Sequence, residues 1–139
     1  VLLPAFVLAR RADAVAVIGA ALAAAASGLG HRLVAERLGR PEATVRGWLR
    51  RFASRAEALR AGFTALACAL DPDPLLPGPA GSLAADAVAA IVAAAAAAAR
   101  RWGRDVFVLS AWELAAAVSS GRLLAPGSTP VPLNTSCPW

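Results

Sequence analysis

Residues 31–53, HRLVAERLGRPEATVRGWLRRFA, leave few folds open. Apolar residues recur at helical spacing on both sides of a single interruption, Gly39-Arg40-Pro41. A helix over 31–38 turns Val34, Ala35 and Leu38 inward. Gly39 breaks it, because the corner needs a residue that tolerates positive φ. Pro41 suits a helix start, where its missing N–H would have no partner anyway. A second helix, about 42–53, then buries Val45, Trp48, Leu49 and Phe52. Two helices that cross steeply touch only where a side chain is small, and Ala35 provides that place. Val45 and Trp48, three residues apart, share one face and close the core from the other side.

A small residue, a glycine and two apolar residues at these intervals form the helix-turn-helix pattern. With the apolar side inside, the outer face of the second helix holds Glu42, Ala43, Arg46, Gly47 and Arg50. Arg46 and Arg50 are one turn apart and point the same way. A guanidinium can grip guanine O6 and N7 with two hydrogen bonds in the major groove. The candidate DNA-binding set is therefore Arg40, Glu42, Thr44, Arg46, Arg50, Arg51 and Arg55. Arg46 and Arg50 are expected on base edges, and Glu42 and Thr44 on cytosine or phosphate. Arg40, Arg51 and Arg55 are expected on the backbone. The plainer alternative is a three-helix core with a solvated basic face.

Charge placement separates these readings better than total charge does. All 14 basic residues are arginine, a usage that fits a GC-rich genome. Residues 31–60 hold eight of them against three acids, whereas the rest of the chain holds six of each. The whole surplus of five positive charges thus falls on the helix-turn-helix and its continuation, and steers toward polyanions. Alanine inflates the 58% hydrophobic content while burying little area. The core markers are instead the scarce large residues: Phe6, Ile18, Leu22, Trp48, Phe52, Phe63, Ile91, Trp102, Phe107 and Trp112.

No chemistry-bearing constellation competes with the arginines. Cys68 and Cys137 have no metal-type spacing, and His31 is the single histidine, so neither a metal nor a cofactor is expected. No GxGxxG, Walker loop, HExxH or GxSxG occurs, and a non-enzymatic protein is expected. Two cysteines do not make a disulfide framework, and a reducing cytoplasm is expected. The apolar runs 14–26 and 83–99 are mostly alanine and lack the Leu/Ile/Phe content of a spanning helix, so no membrane is expected. The opening VLLPAFVLARR lacks the order of a signal peptide.

Along the chain, Val1–Leu8 reads as a short strand or an extended lead-in, and Arg10 and Arg11 as the solvated start of a helix. Residues 12–27 form the first helix, with Val15, Ile18, Leu22 and Ala25 inward; Ser27-Gly28-Leu29-Gly30 ends it. Ser54-Arg55-Ala56-Glu57 reads as a capping box that restarts the helix at 54, with a continuous helix as the other option. Leu59, Phe63, Leu66 and Leu70 make a stripe expected to pack on the bundle. Its alternative use is homodimerisation, which would set two recognition helices about 34 Å apart on DNA. Residues 71–81, DPDPLLPGPAG, form a semi-stiff linker and the expected domain boundary. Residues 82–102 are a helix started by Ser82 and closed by Gly103. A second capping box at Ser110–Glu113 starts a helix to about Ser120, expected to pair with 82–102 as an antiparallel hairpin. Four prolines in 122–139 predict an irregular tail.

At LLPAFVLARR, GRPEATVRGWLRRF and SSGRLL, the sequence resembles an actinobacterial group of helix-turn-helix proteins, a transposase-like family of unknown function. The resemblance spans most of the chain and implies DNA binding linked to mobile elements. Members carry a cysteine-rich, zinc-ribbon-like segment before the first motif. This chain starts after that point, so it reads as N-terminally truncated and no zinc site carries over. The motif also resembles those that open insertion-sequence transposases, which use three carboxylates and two metal ions. The acids after the recognition helix here fall on linkers or helix surfaces, and no catalytic residue carries over.

The sequence thus predicts an all-α protein: a three- or four-helix bundle at 1–70, a linker at 71–81, an alanine-rich helical hairpin at 82–120 and a tail at 121–139. Its expected function is sequence-specific binding of double-stranded DNA, as a transcriptional regulator or a mobile-element-associated protein. The competing expectation is a helical protein-interaction module.

Overall fold

The computed structural model describes residues 5–103, 111–119 and 124, with side chains from residue 14 onward. The protein is all-α. Its helices are α1 (Ala5–Ala26), α2 (His31–Leu38), α3 (Glu42–Leu70), α4 (Leu83–Trp102) and α5 (Ala111–Val118). No strand occurs among the described residues.

Helix α1 begins at Ala5, so residues 5–8 of the expected strand or extended lead-in are helical. After Pro4 nothing in AFVLARRA breaks a helix, and alanine, leucine and arginine all favour one. The helix ends where expected: the Ser27 hydroxyl donates to the Ala24 carbonyl at 2.7 Å, and Gly28 takes φ of 100°.

The corner between α2 and α3 follows the predicted chemistry. Gly39 sits in the left-handed region at φ 60°, ψ 37°. Its N–H donates to the Glu36 carbonyl, and the N–H of Arg40 to that of Ala35. Those bonds satisfy carbonyls that the end of α2 would otherwise leave open. Pro41 stands one position outside α3, and its carbonyl accepts from Thr44 and Val45.

Helix α3 does not restart at Ser54. It runs unbroken for 29 residues. The Ser54 hydroxyl donates to the Arg51 carbonyl at 2.7 Å, within the helix, and Glu57 pairs with Arg60. A capping box needs a break in the backbone. Here Phe52, Ala56, Leu59 and Phe63 carry one buried stripe straight through the junction.

Three correspondences fix the direction of α4. Phe52 and Ala53 share a cleft with Ser82, Ala84 and Val88. Arg60 and Thr64 share another with Asp86 and Ala90. Asp71 accepts a hydrogen bond from Arg100. Position increases together on both helices, so α4 lies parallel to α3. This explains the proline-rich linker. To return from Leu70 to the level of residue 53 the chain must cover about 27 Å, at 1.5 Å per helical residue. About 12 extended steps at ~3.1 Å span roughly 37 Å, enough for that return and for the sideways step between the helices. Ser82 then caps α4 by accepting from the Ala85 N–H at 3.1 Å, and Asp86 accepts from the Ala80 N–H at 2.6 Å. Gly103 ends the helix at φ 84°.

Two expectations are corrected by this packing. The linker does not divide the molecule: Phe52, Leu59, Phe63, Leu66 and Leu70 of α3 share one core with Val88, Ile91 and Ala94 of α4, Leu22 of α1, and Leu114 and Val118 of α5. Nor is α4 mainly the partner of α5, because α3 covers most of its length. The alanines of α4 are the reason. Ala87, Ala90, Ala94, Ala97 and Ala98 are buried almost completely, so the large side chains of α3 can close on the helix backbone. By length and composition alone α4 could cross a membrane, but half of its most apolar window is buried in this core.

The stripe Leu59, Phe63, Leu66 and Leu70 is consumed within the chain, as packing on the bundle requires, and leaves nothing there for a dimer. A smaller cluster of Ala21, Val34, Ala35 and Val45 holds the helix-turn-helix, and Leu49 packs on both clusters and joins them.

Helix α5 packs on α4 and α1, and its tightest approach is to α1. A methyl group added to Gly19 of α1 would come within 2.2–2.7 Å of the Trp112 indole carbons. We expect Gly19→Ala to lower the melting temperature despite alanine's better helix propensity, because overpacking costs about 1–3 kcal/mol and the propensity gain is at most ~1 kcal/mol. A thermal melt followed by circular dichroism checks this; a higher melting temperature would refute the contact. Phe6, Phe107, Ser110, the tail beyond 124 and Cys137 lie outside the described side chains. Cys68 is exposed and unpaired.

Candidate nucleic-acid interface

The first three turns of α3 are held from below by Val45 and Phe52, both essentially buried, and by half-buried Trp48 and Leu49. Trp48 roofs the smaller cluster and does not sit fully inside it. With that side fixed, Arg46 and Arg50 are turned out to solvent, as the helical spacing predicts. Arg40, at the corner, is also exposed. Among the described residues, Arg37, Arg40, Arg46 and Arg50 make no hydrogen bond or ion pair. These exposed charges on α2, the corner and α3 are not neutralised by ion pairs among the described residues, and would be relieved by an anion.

Glu42 is the acid placed among these arginines, and the protein already uses it. His31 Nε2 donates to its Oε1 at 2.8 Å, and Arg32 Nε approaches the same oxygen at 3.4 Å. The His31 hydrogen bond, aided by Arg32, holds the Glu42 carboxyl below the ordinary carboxylate range. The pair ties the first residue of α2 to the first residue of α3. It thereby fixes how the recognition helix leaves the corner and masks a carboxylate that would repel phosphates. Both contacts fall on Oε1, and Oε2 makes no hydrogen bond among the described residues. His31, the single histidine, and Arg32 are thus parts of the site that sequence reasoning missed. The link crosses the corner over 10 and 11 positions, and no local periodicity reports such a distance.

The other candidates separate. Thr44 is exposed but lines a recess with Ala14, Val17, Ile18, Arg40, Pro41 and Trp48, on the α1 side of the helix. Arg51 is exposed, and its Nε donates to the Gly47 carbonyl at 3.2 Å, which lays the side chain along its own helix. Arg55 is corrected outright. It is 6% exposed, on the inner side of α3, and cannot reach a backbone phosphate. Its position follows from the unbroken helix: with no restart at Ser54, residue 55 continues the face of Phe52 and Leu59. The site therefore comprises Arg40, Arg46, Arg50 and Arg51, with Arg32 and Glu42 at the edge toward α2.

Among the described residues no group of three or more His, Cys, Asp or Glu could hold a metal ion. No family model, curated protein or solved structure matches the chain.

Proposed function

We propose that this protein binds double-stranded DNA through α2 and α3, with α3 in the major groove. The observation that supports it is the pairing of exposed, partnerless Arg46 and Arg50 with a helix whose opposite side is fixed by Val45, Trp48 and Phe52. Their Cβ atoms are about 6 Å apart, close to two base-pair steps, so both can address base edges from one helix. Arg40, Arg51 and Arg32 flank them as phosphate contacts. Glu42 Oε2 is available to the cytosine amino group. The role is that of a sequence-specific regulator or a protein associated with mobile elements, in line with the family resemblance.

Selection of bound duplexes from a random pool, followed by titration at several salt concentrations, tests the reading. Neutralising about three phosphates predicts an affinity loss of roughly 40-fold between 50 and 200 mM salt. Enrichment should favour G·C pairs where the two arginines read. Salt-insensitive binding, or no enrichment, would contradict the proposal.

A further inference from the structure

Gly47 is half-buried on α3, between Arg46 and Trp48, in line with exposed Ala43 one turn before it and exposed Arg51 one turn after it. A glycine inside a helix destabilises it relative to alanine, because the backbone loses more freedom on folding. Such a cost usually has an internal reason, namely a left-handed backbone or another segment pressed against the Cα. Neither applies here. Gly47 is not among the positive-φ glycines, which are Gly28, Gly39, Gly81 and Gly103. A Cβ built on it would meet a single neighbour, the Arg51 guanidinium nitrogen at 3.5 Å. That is ordinary contact with the tip of a flexible side chain. Gly19 is the contrast, since there the added methyl would collide with Trp112. The fold requires glycine at 19 and does not require it at 47.

We propose that Gly47 is where the recognition helix comes closest to its ligand, so that the missing side chain lets the α3 backbone approach the base edges of a duplex. The inference rests on the DNA reading above and adds a positioning residue to it. Arg46 and Arg50 can donate two bonds to a guanine only if the helix axis lies at the right depth in the groove. A side chain at 47 would hold the axis outward and weaken both arginine contacts together, without touching either arginine.

This account separates folding from binding in opposite directions. In the full chain, Gly47→Ala should raise the melting temperature by roughly 2–4 °C and should weaken binding to the selected duplex. Gly47→Leu should remain folded and bind roughly tenfold or more weakly, as expected if base contacts worth at least 1–3 kcal/mol are lost. Ala61→Leu, exposed on the same helix but about three turns beyond Arg50, should bind like the wild type. The measurements are thermal melts by circular dichroism and fluorescence-anisotropy titration of the labelled duplex. Wild-type affinity in Gly47→Leu, or equal weakening in Ala61→Leu, overturns the close-approach role alone. A wild-type chain that binds no duplex overturns both it and the DNA reading.

Discussion

Phe63→Ala is expected to cost about 3–5 kcal/mol and to loosen the helix-turn-helix along with the distal half of the molecule. Phe63 is fully buried where α3 meets α4, about three turns beyond Arg51. Were the proline-rich segment a domain boundary, a cavity there would leave residues 14–52 intact. The structure denies that independence. Recognition helix and distal stripe are one unbroken helix, Leu49 packs on both clusters, and Leu22 of α1 belongs to the larger one. The helix-turn-helix cluster has four buried members, two of them alanine. Burying a large aliphatic side chain contributes only ~1.5–3 kcal/mol, so two valines and two alanines cannot offset the ordering of three helices. The loss at Phe63 is a large share of the ~5–15 kcal/mol available to an ordinary domain. Hydrogen exchange followed residue by residue decides the matter. Amides of α2 and of the start of α3 should lose protection in parallel with those of α4. Protection retained in α2 while α4 exchanges would restore the two-unit description.

Local chemistry was legible in the sequence, and long-range packing was not. The bounds of α2, the corner at Gly39 and the cap at Ser82 follow from side chains acting on their own backbone, within four residues. So does the outward turn of Arg46 and Arg50, which needs only the helical repeat. Ser54 shows where such reasoning fails. Its capping box is a local signal, and it lost to a buried stripe that continues through it. Arg55 was misplaced with it, because its face depends on whether the helix restarts. The parallel course of α4 was hidden for a different reason: proline content reports stiffness, not the direction in which a stiff segment returns. The Glu42 clamp joins residues that no repeat connects, so the spacing could show the carboxylate but not its partners. Gly19 looked like any glycine in an alanine-rich helix until Trp112 was seated against it.

The double substitution Arg46→Ala, Arg50→Ala should remove most of the preference for a selected site while leaving the fold unchanged. Each bidentate contact to guanine is worth about 1–3 kcal/mol, so the pair should cost roughly 2–6 kcal/mol, a loss of about 30-fold to 10⁴-fold. Neighbouring contacts couple, so the double variant need not equal the sum of the single ones. The fold should be indifferent, because both side chains are exposed and make no internal bond among the described residues. Removing two of the crowded positive charges should, if anything, raise the melting temperature slightly. Arg51→Ala provides the internal comparison. Its guanidinium lies along the helix at the flank, suited to a phosphate, so its loss should weaken selected and random duplexes alike and reduce the salt slope by about one. The two variants are distinguished by the ratio of selected to random affinity, which should collapse in the first and persist in the second. If that ratio stays constant in the double variant, the arginines serve only as charge, and specificity must come from elsewhere on α2 or α3.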